Sequence, residues 1–530
     1  MKYDVIIVGG GASGLTAAAY LSRAGRTVLL LEKEDQFGGL VNSFNRDGFI
    51  FDGGLRAFDS AGVLLPMLDK LGLEMDLVKN IISIGIENRV IRVESDQNLA
   101  EYEQLLQQLY PESRAEVSAI IADMRKMMHF LDIQYGIDNP LFLDFREDRD
   151  YFLKKVFPWM FRFALTAPRI AARNQPVEAY LRQFTQNQKL IDIIAQHFFT
   201  ATPAYFALSY FSLYQDYYYP QGGTGVFTEA LTQLIQDQGG QMKTHARVNA
   251  IQPERKTLST AGGEAYAYDQ LLWAADQKTL YRLVDINSLT NPRLASKVEE
   301  KRYQLADLVG NDSIFTLYVC SDLPGEFFEE VSSGHFFYTP SREGQSQAGP
   351  IPRNGSWEEI QQWLERFFAL TTYEISIPAL RDPSLAPKGK TGLIISVLFD
   401  YALTKHIDDH GWDPAFRTLA SELILNTLSG SIYPGLGDSV LDHFSATPLT
   451  MEKRTGSTDG AITGWAFTND LMPTESRLVK IANAVNTPLP DISQAGQWTY
   501  SPSGFPVALI TGKLAADKID SRLKRRRTAP

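Results

Sequence analysis

Apolar and polar positions change period several times along this chain, and each change marks an element. Tyr3-Asp4-Val5-Ile6-Ile7-Val8 is a short, mostly apolar run of the kind that forms a buried strand. Leu15-Thr16-Ala17-Ala18-Ala19-Tyr20-Leu21 follows, rich in good helix formers and closing near Gly25. A second apolar run, Val28-Leu29-Leu30-Leu31, then ends on Glu32. Further on, Val226, Phe227, Ala230, Leu231, Leu234 and Ile235 fall on one helical face, which Gly239-Gly240 terminates. Met242, Thr244, Ala246, Val248 and Ala250 alternate with Lys243, His245, Arg247 and Asn249, which predicts one continuous strand. Strand-like runs recur at Ile314 to Val319 and Leu393 to Leu398. A helix is predicted from Ser356, with Glu359 completing a capping box and Trp357, Ile360, Leu364 and Phe367 on one face. The Gly-, Pro-, Ser- and Gln-rich stretch from Ser341 to Gly355 reads as an exposed loop. No internal repeat is visible.

The turn between the first strand and the first helix carries candidate chemistry. It reads Gly9-x-Gly11-x-x-Gly14. In that spacing the first glycine permits a tight turn, the second lets backbone approach a pyrophosphate, and the third lets helix pack on strand. The helix N-terminus offers unpaired N–H groups and a partial positive charge to phosphates. Glu32 is placed to accept from ribose hydroxyls and would repel a 2′-phosphate. Strand, glycines, helix, strand and acid in this order predict a site for the ADP half of a dinucleotide. The spacing does not separate a nicotinamide from a flavin cofactor. Two further glycine-rich segments, Gly222-Gly223-Thr224-Gly225 and Ser501-Pro502-Ser503-Gly504-Phe505-Pro506, lie hundreds of residues away. Cofactor-type loops at both ends of a chain imply that both ends wrap one large ligand.

Composition narrows the class. At 530 residues, two domains are expected, interleaved if the cofactor loops are shared out along the chain. An apolar share of 44% and a charged share of 21% belong to an ordinary globular protein. No apolar run approaches the ~20 residues of a spanning helix, and Val5 to Val8 reads as a strand, not a signal peptide. The lone cysteine, Cys320, excludes an internal disulfide framework and fits a cytoplasmic location; its apolar strand pattern makes it a packed residue, not a nucleophile. A net charge of -11 argues against general nucleic-acid binding. His406 and His410 are spaced like zinc ligands on a helix, but Asp408, Asp409, Gly411 and Pro414 mark a polar surface turn, and no metal site is expected. There is no G-x-S-x-G elbow and no Walker loop.

Against that acidity, the segment from Tyr151 to Arg173 stands out. It holds Lys154, Lys155, Arg162, Arg169 and Arg173, no acid, and Tyr151, Phe152, Phe157, Trp159, Phe161 and Phe163. A basic, aromatic segment is a candidate peripheral contact with an anionic membrane, here its inner face; a buried helix with snorkelling basic ends is the alternative. The stretch from Tyr205 to Tyr219 is dense in aromatics, either the wall of a tunnel for a long apolar molecule or core. Arg522-Leu523-Lys524-Arg525-Arg526-Arg527 reads as a solvated basic tail.

Past Glu32 the chain continues Lys33-Glu34-Asp35-Gln36-Phe37-Gly38-Gly39-Leu40-Val41-Asn42-Ser43-Phe44 and then Gly48-Phe49-Ile50-Phe51-Asp52-Gly53-Gly54. With Tyr219 to Gly225 and the closing Ala495-Gly496-Gln497-Trp498 and Ser503 to Ala516, these segments resemble the flavoprotein superfamily of amine oxidases and phytoene desaturases. Within it they are most similar to the phytoene desaturase, carotene isomerase and retinol saturase branch. The resemblance implies FAD as cofactor, held by Gly9, Gly11, Ala12, Ser13, Gly14, Glu32, Lys33, Gly39, Leu40, Val41, Gly54, Leu55, Arg56, Val248, Gly496, Phe505, Pro506 and Val507. It also implies that Val248 meets the adenine through its backbone, and that the helix N-terminus at Pro506 and Val507 faces the isoalloxazine N1–C2 edge. One departure is Leu40, where many relatives carry arginine; Arg56 is the candidate for that positive charge.

The fold expected is α/β, a Rossmann-type FAD-binding domain of the amine-oxidase-like kind interleaved with an α+β substrate domain. The expected boundaries give FAD-binding parts at 1–84, 216–288 and 441–520, substrate parts at 85–215 and 289–440, and the basic tail at 521–530. The expected activity is FAD-dependent oxidation, reduction or isomerisation at carbon–carbon bonds of a lipophilic isoprenoid or polyene. The rivals are an FAD-dependent amine oxidase and a flavin-binding lipid carrier without turnover. The catalytic residues, the direction of reaction, any NAD(P) use and the oligomeric state are left open.

Overall fold

A computed structural model describes residues 2–60, 62–470 and 481–528. Residues 471–480 of the third expected FAD-binding segment, the side chains of Arg527 and Thr528, and residues 529–530 of the expected tail lie outside the described set.

Among the described residues two seven-stranded sheets form the frame. The first has a parallel centre: Gln241–Lys243, Val28–Leu31, Lys2–Val8 and Ala265–Trp273 lie side by side, and Ile492–Gln494 adds parallel to Ala265–Trp273. An antiparallel pair, Thr257–Thr260 and Val248–Gln252, extends it. Strands buried on both faces read as continuous apolar runs, which is why Val5 to Val8 and Val28 to Leu31 carry no alternation. Helices Ala12–Arg23, Gly225–Asp237 and Phe505–Thr528 supply Leu15, Ala18, Phe227, Leu231, Leu509 and Ala516 to one core against this sheet.

The second sheet runs Val440–Ala446, Ser313–Ser321, Thr391–Phe399, Tyr373–Ser376, His335–Thr339, Ile82–Ile86, Arg89–Val93. It is antiparallel except where His335–Thr339 meets Ile82–Ile86. One helical layer, built from Asn98–Leu109, Arg114–Tyr135, Gln188–Ala195 and Ala204–Leu213, shares a core with Ile82, Ile86 and Val93. Helices Trp357–Leu370 and Asp413–Ser429 pack a separate core on its central strands. The capping box at Ser356 and Glu359 is formed, and Cys320 is buried in the second sheet with its thiol pushed up to about 11, chiefly by burial.

The strand read from Met242 to Ala250 is two strands. Gln241–Lys243 lies at one edge of the first sheet and Val248–Gln252 at the other. Between them His245 adopts φ 52°, and His245 and Ala246 donate to the carbonyls of Glu34 and Glu32. The chain therefore crosses the carboxyl end of Val28–Leu31 instead of continuing along it. The basic run at Arg522 to Arg526 continues the closing helix, where Arg522 donates to Gln270 and Arg526 pairs with Asp491. No helix among the described residues is long and apolar enough to cross a membrane.

Candidate active site

A cavity of about 970 Å³ runs from the carboxyl end of the parallel strands to the space between the second sheet and its helical layer. Its first end is the glycine turn. Gly9 sits at φ +103°, and a Cβ there would meet the Ala274 carbonyl at 2.5 Å. A Cβ on Gly14 would lie 1.9 Å from the Gly9 carbonyl, so this glycine is what lets helix and strand close up. Gly11 is different: the nearest atom to its missing Cβ is the Gly38 carbonyl, 4.0 Å away, and its open side faces the cavity. The helix Ala12–Arg23 begins there with no side-chain cap, leaving its first N–H groups for a ligand.

Glu32 is buried beside this turn. Its two carboxylate oxygens accept from the backbone N–H of Gly10 at 2.7 Å and of Glu34 at 3.0 Å. The acid therefore shapes the cradle as well as facing it. Lys33 turns away, its ammonium donating to Glu34 and to the carbonyls of Lys453 and Arg454. The far end of the chain closes the same cradle. Gly496 adopts φ +98° and comes against Ser13, and a Cβ on Gly512 would meet the Ser13 carbonyl at 2.5 Å.

The structure brings together most of the residues singled out from sequence. Gly9, Gly11, Ala12, Ser13, Glu32, Lys33, Gly39, Leu40, Val41, Gly54, Leu55, Arg56, Val248, Gly496 and Phe505 all line the one cavity. Gly14, Pro506 and Val507 do not; Gly504, Phe505 and Ala508 form that part of the wall. These surroundings fit a flavin dinucleotide: a bare-backbone turn at an uncapped helix start, an acid for a ribose, and walls supplied by both ends of the chain.

Past Gly54 the cavity continues into an aromatic chamber. Arg56 is buried at its base, donating to the Asp52 carbonyl at 2.6 Å and to Ser396 at 3.1 Å. Asp52 is fully buried and binds four donors: Ser43, both the N–H and the hydroxyl of Thr224, and Tyr219. It thereby locks the Gly222 to Gly225 turn to the strand Phe49–Asp52, which accounts for that turn's glycines without a ligand. The chamber wall is aromatic, with Phe198, Phe199, Phe206, Tyr210, Tyr214, Tyr217 and Phe337. The dense stretch from Tyr205 to Tyr219 thus divides: Phe211 and Tyr219 are core, while Phe206, Tyr210, Tyr214 and Tyr217 face the chamber.

Ionisable groups that sequence reasoning did not single out sit in that wall. Asp59, half-buried on the short strand opposite Tyr217, has its carboxyl pushed up to about 7, first by burial and then by Asp216. Burial drops His197 to about 4, so it is a neutral ring between Phe198 and Phe337. The Tyr210 and Tyr217 hydroxyls share a hydrogen bond of 2.5 Å. His335 bonds to Glu374 at 3.0 Å, and because burial lowers the imidazole this is a hydrogen bond from a neutral ring, not an ion pair. Glu374 and Asp59 are far apart in sequence and belong to no local motif; only strand pairing brings them into one chamber.

Comparison with known proteins agrees with this geometry. Residues 12–354 match the model of the family described as flavin containing amine oxidoreductase. A 4,4′-diapophytoene desaturase (4,4′-diaponeurosporene-forming) of Staphylococcus haemolyticus is 24% identical, covering 97% of this chain and 98% of that protein. Its counterpart in Staphylococcus aureus is 23% identical over 98% of this chain and 99% of its own. Among solved structures, an oxidoreductase from Methanosarcina mazei superposes with a TM-score of 0.62 at 14% identity, covering 98% of this chain and all of its own. A putrescine oxidase bound to putrescine gives 0.58 at 16% identity over 98% of this chain and 100% of that one.

Proposed function

Because the chain belongs to the family of flavin-containing amine oxidoreductases, as an FAD-dependent oxidoreductase, we propose that it desaturates carbon–carbon bonds of a lipophilic isoprenoid or polyene. The observation that carries this reading is the single cavity joining an ADP-type cradle to an aromatic chamber. Similarity along nearly the whole chain to 4,4′-diapophytoene desaturases supports it.

In this reading Gly9, Gly11, Ala12, Ser13 and Glu32 hold the adenosine and pyrophosphate, while Gly39 to Val41, Gly54 to Arg56, Gly496 and Phe505 enclose the ring system. The first sheet with its helices is the cofactor body and the second sheet with its two helical layers is the substrate body. FAD, when bound, supplies a two-electron acceptor. The chain's own task is placement. Phe198, Phe206, Tyr214 and Phe337 exclude water from an extended apolar chain and hold it in line. Arg56, pinned by Asp52 and Ser396, presents a fixed positive charge at the boundary between cradle and chamber.

The substrate is drawn from a bilayer. Leu153, Phe157, Met160, Phe161 and Leu165 are exposed along the segment ending in helix Phe157–Ala171. A cluster of large exposed apolar side chains beside Lys155 and Arg162 fits peripheral insertion into an anionic surface. Lys154 contributes less charge than its sequence implied, because it pairs with Asp150 at 2.8 Å.

Anaerobic mixing of the flavin-loaded protein with a phytoene-type polyene in vesicles tests the reading. Bleaching of the flavin band together with a product of longer conjugation is expected. Peroxide release from an amine panel, with no turnover of any polyene, would replace it with amine oxidation.

A further inference from the structure

A chamber for a pure hydrocarbon has no use for a charged wall, yet this one presents a carboxylate that the protein takes trouble to keep ionised. Arg381 donates to Asn80 Oδ1 at 3.0 Å, which fixes the amide so that its Nδ2 faces His335 Nδ1 at 3.2 Å. With Nδ1 accepting, the ring proton is on Nε2, which donates to Glu374 Oε1 at 3.0 Å. Asn80 and His335 are buried, while Glu374 keeps part of its carboxylate open to the chamber. Burial acts to raise this carboxyl, but the hydrogen bond from His335 and the charges of Arg56 and Arg381 outweigh it and hold it below its ordinary range.

A carboxylate oxygen in an aromatic cavity needs a hydrogen-bond donor, since leaving it unpaired against hydrocarbon is costly. The charge balance says which kind. Arg56 and Arg381 offset Asp52 and Glu374, and the Asp59 carboxyl, pushed up to about 7, is neutral below that pH, so there the formal charges of the cluster cancel. An ammonium would add an uncompensated charge; a neutral hydroxyl adds none. Two neighbours suit the hydroxyl's oxygen. Asp59 and Glu374 both act on the Tyr210 hydroxyl, placing the two acids on one region of wall, and the buried Tyr214 hydroxyl beside them has no hydrogen-bond partner. Resting on the lipophilic-substrate reading above, we infer that Glu374, set by the Arg381–Asn80–His335 relay, recognises a hydroxyl, and that the chamber takes an isoprenoid alcohol in preference to the matching hydrocarbon.

The test measures binding to the flavin-loaded protein, read as perturbation of the flavin visible spectrum and as co-elution from one micelle composition. Its probes are geranylgeraniol, its deoxy hydrocarbon and geranylgeranylamine. The alcohol is expected to bind about tenfold or more tighter than the hydrocarbon, the range for a hydrogen bond to a charged group. In Glu374→Met that preference is expected to fall to within about threefold, with hydrocarbon affinity and flavin content unchanged. Equal binding of alcohol and hydrocarbon to the wild type would overturn the assignment without any variant. So would a preference that survives Glu374→Met, or an amine that binds more tightly than the alcohol. With equal binding or a surviving preference the lipid reading stands, because the hydrocarbon still occupies the chamber; a tighter amine counts against that reading as well. If none of the three probes binds, both readings fall.

Discussion

Single side chains decide the cradle, and their roles differ although the motif writes them alike. Gly11 faces open cavity, whereas Gly14 is packed so closely that a Cβ would lie 1.9 Å from the Gly9 carbonyl. Gly14→Ala is therefore expected to cost about 3 kcal/mol of stability and most of the bound flavin, read as the denaturation midpoint and the visible absorbance of purified protein. Such local roles were legible from spacing alone, because strand, turn and helix fix them within a few residues. Asp59 was not legible, since its burial and its neighbour Asp216 come from strand pairing with Tyr217. Its carboxyl, raised to about 7 in the folded chain, gives a pH signature. Between the unfolded value near ~4 and the folded value near 7, the folded state holds the extra proton, so stability falls as pH rises and then levels. Relative to Asp59→Asn, the wild type is expected to lose about 3 kcal/mol between about pH 4 and about pH 7. Urea midpoints of the two proteins across that range check the sign: a flat difference removes the buried acid.

At the scale of elements, periodicity found the pieces but not every connection. The apolar face Trp357 to Phe367 and the strands around Ile314 and Leu393 stand where their patterns placed them, because each packs one face against a core. The alternation from Met242 to Ala250 misled, since Ala246 and Val248 are buried by crossing the strand end, not by lying in one strand. That crossing is what delivers Val248 to the cavity wall. The helix Phe157–Ala171 shows the converse. Its sequence carried both a basic and an apolar signal, and in the fold Phe157, Met160, Phe161 and Leu165 are exposed while Lys154 is paired with Asp150, so the proposed membrane contact rests more on the apolar side chains. Phe157→Ser with Phe161→Ser and Leu165→Ser is therefore expected to reduce sedimentation with both neutral and anionic vesicles. Each lost side chain is worth up to about 1.5–3 kcal/mol of burial. Neutralising Lys155 and Arg162 is expected to weaken anionic vesicles only, by about 1 kcal/mol per charge. Unchanged sedimentation of the triple variant would remove the membrane contact.

Across the whole molecule, the beginning and end of the chain are one structural unit. Arg26, at the entrance to the second strand, makes a bond of 2.6 Å to Asp520 with both side chains largely buried, and Phe58 stacks on Phe505 at 4.9 Å. Ser13 touches Gly496 and Gly512; Arg26 and Asp520 tie the same two segments together at the amino end of Val28–Leu31, while Ser13, Gly496 and Phe505 line the cavity at the carboxyl end of the strands. A ligand held there touches residues from both ends at once, so its binding free energy must appear in the local stability of both. With FAD at about a hundred times its dissociation constant, that gain is about 2.7 kcal/mol. Hydrogen exchange of flavin-free and flavin-loaded protein is therefore expected to slow together in 2–46 and 492–512, by a common factor of about a hundred where exchange follows opening of this unit. The chamber strands 335–339 and 373–376 do not touch the cradle glycines and are expected to change less. The sequence implied this closure only through two distant glycine turns; the contacts that enforce it, Arg26 with Asp520 above all, have no motif and are set by how the closing helix lies along the first. Protection gained at the amino-terminal segment alone would mean that the carboxyl-terminal helix is a bystander to the cofactor. Protection gained at both, and lost at both in Arg26→Ala without flavin, would show the two ends acting as a single clasp.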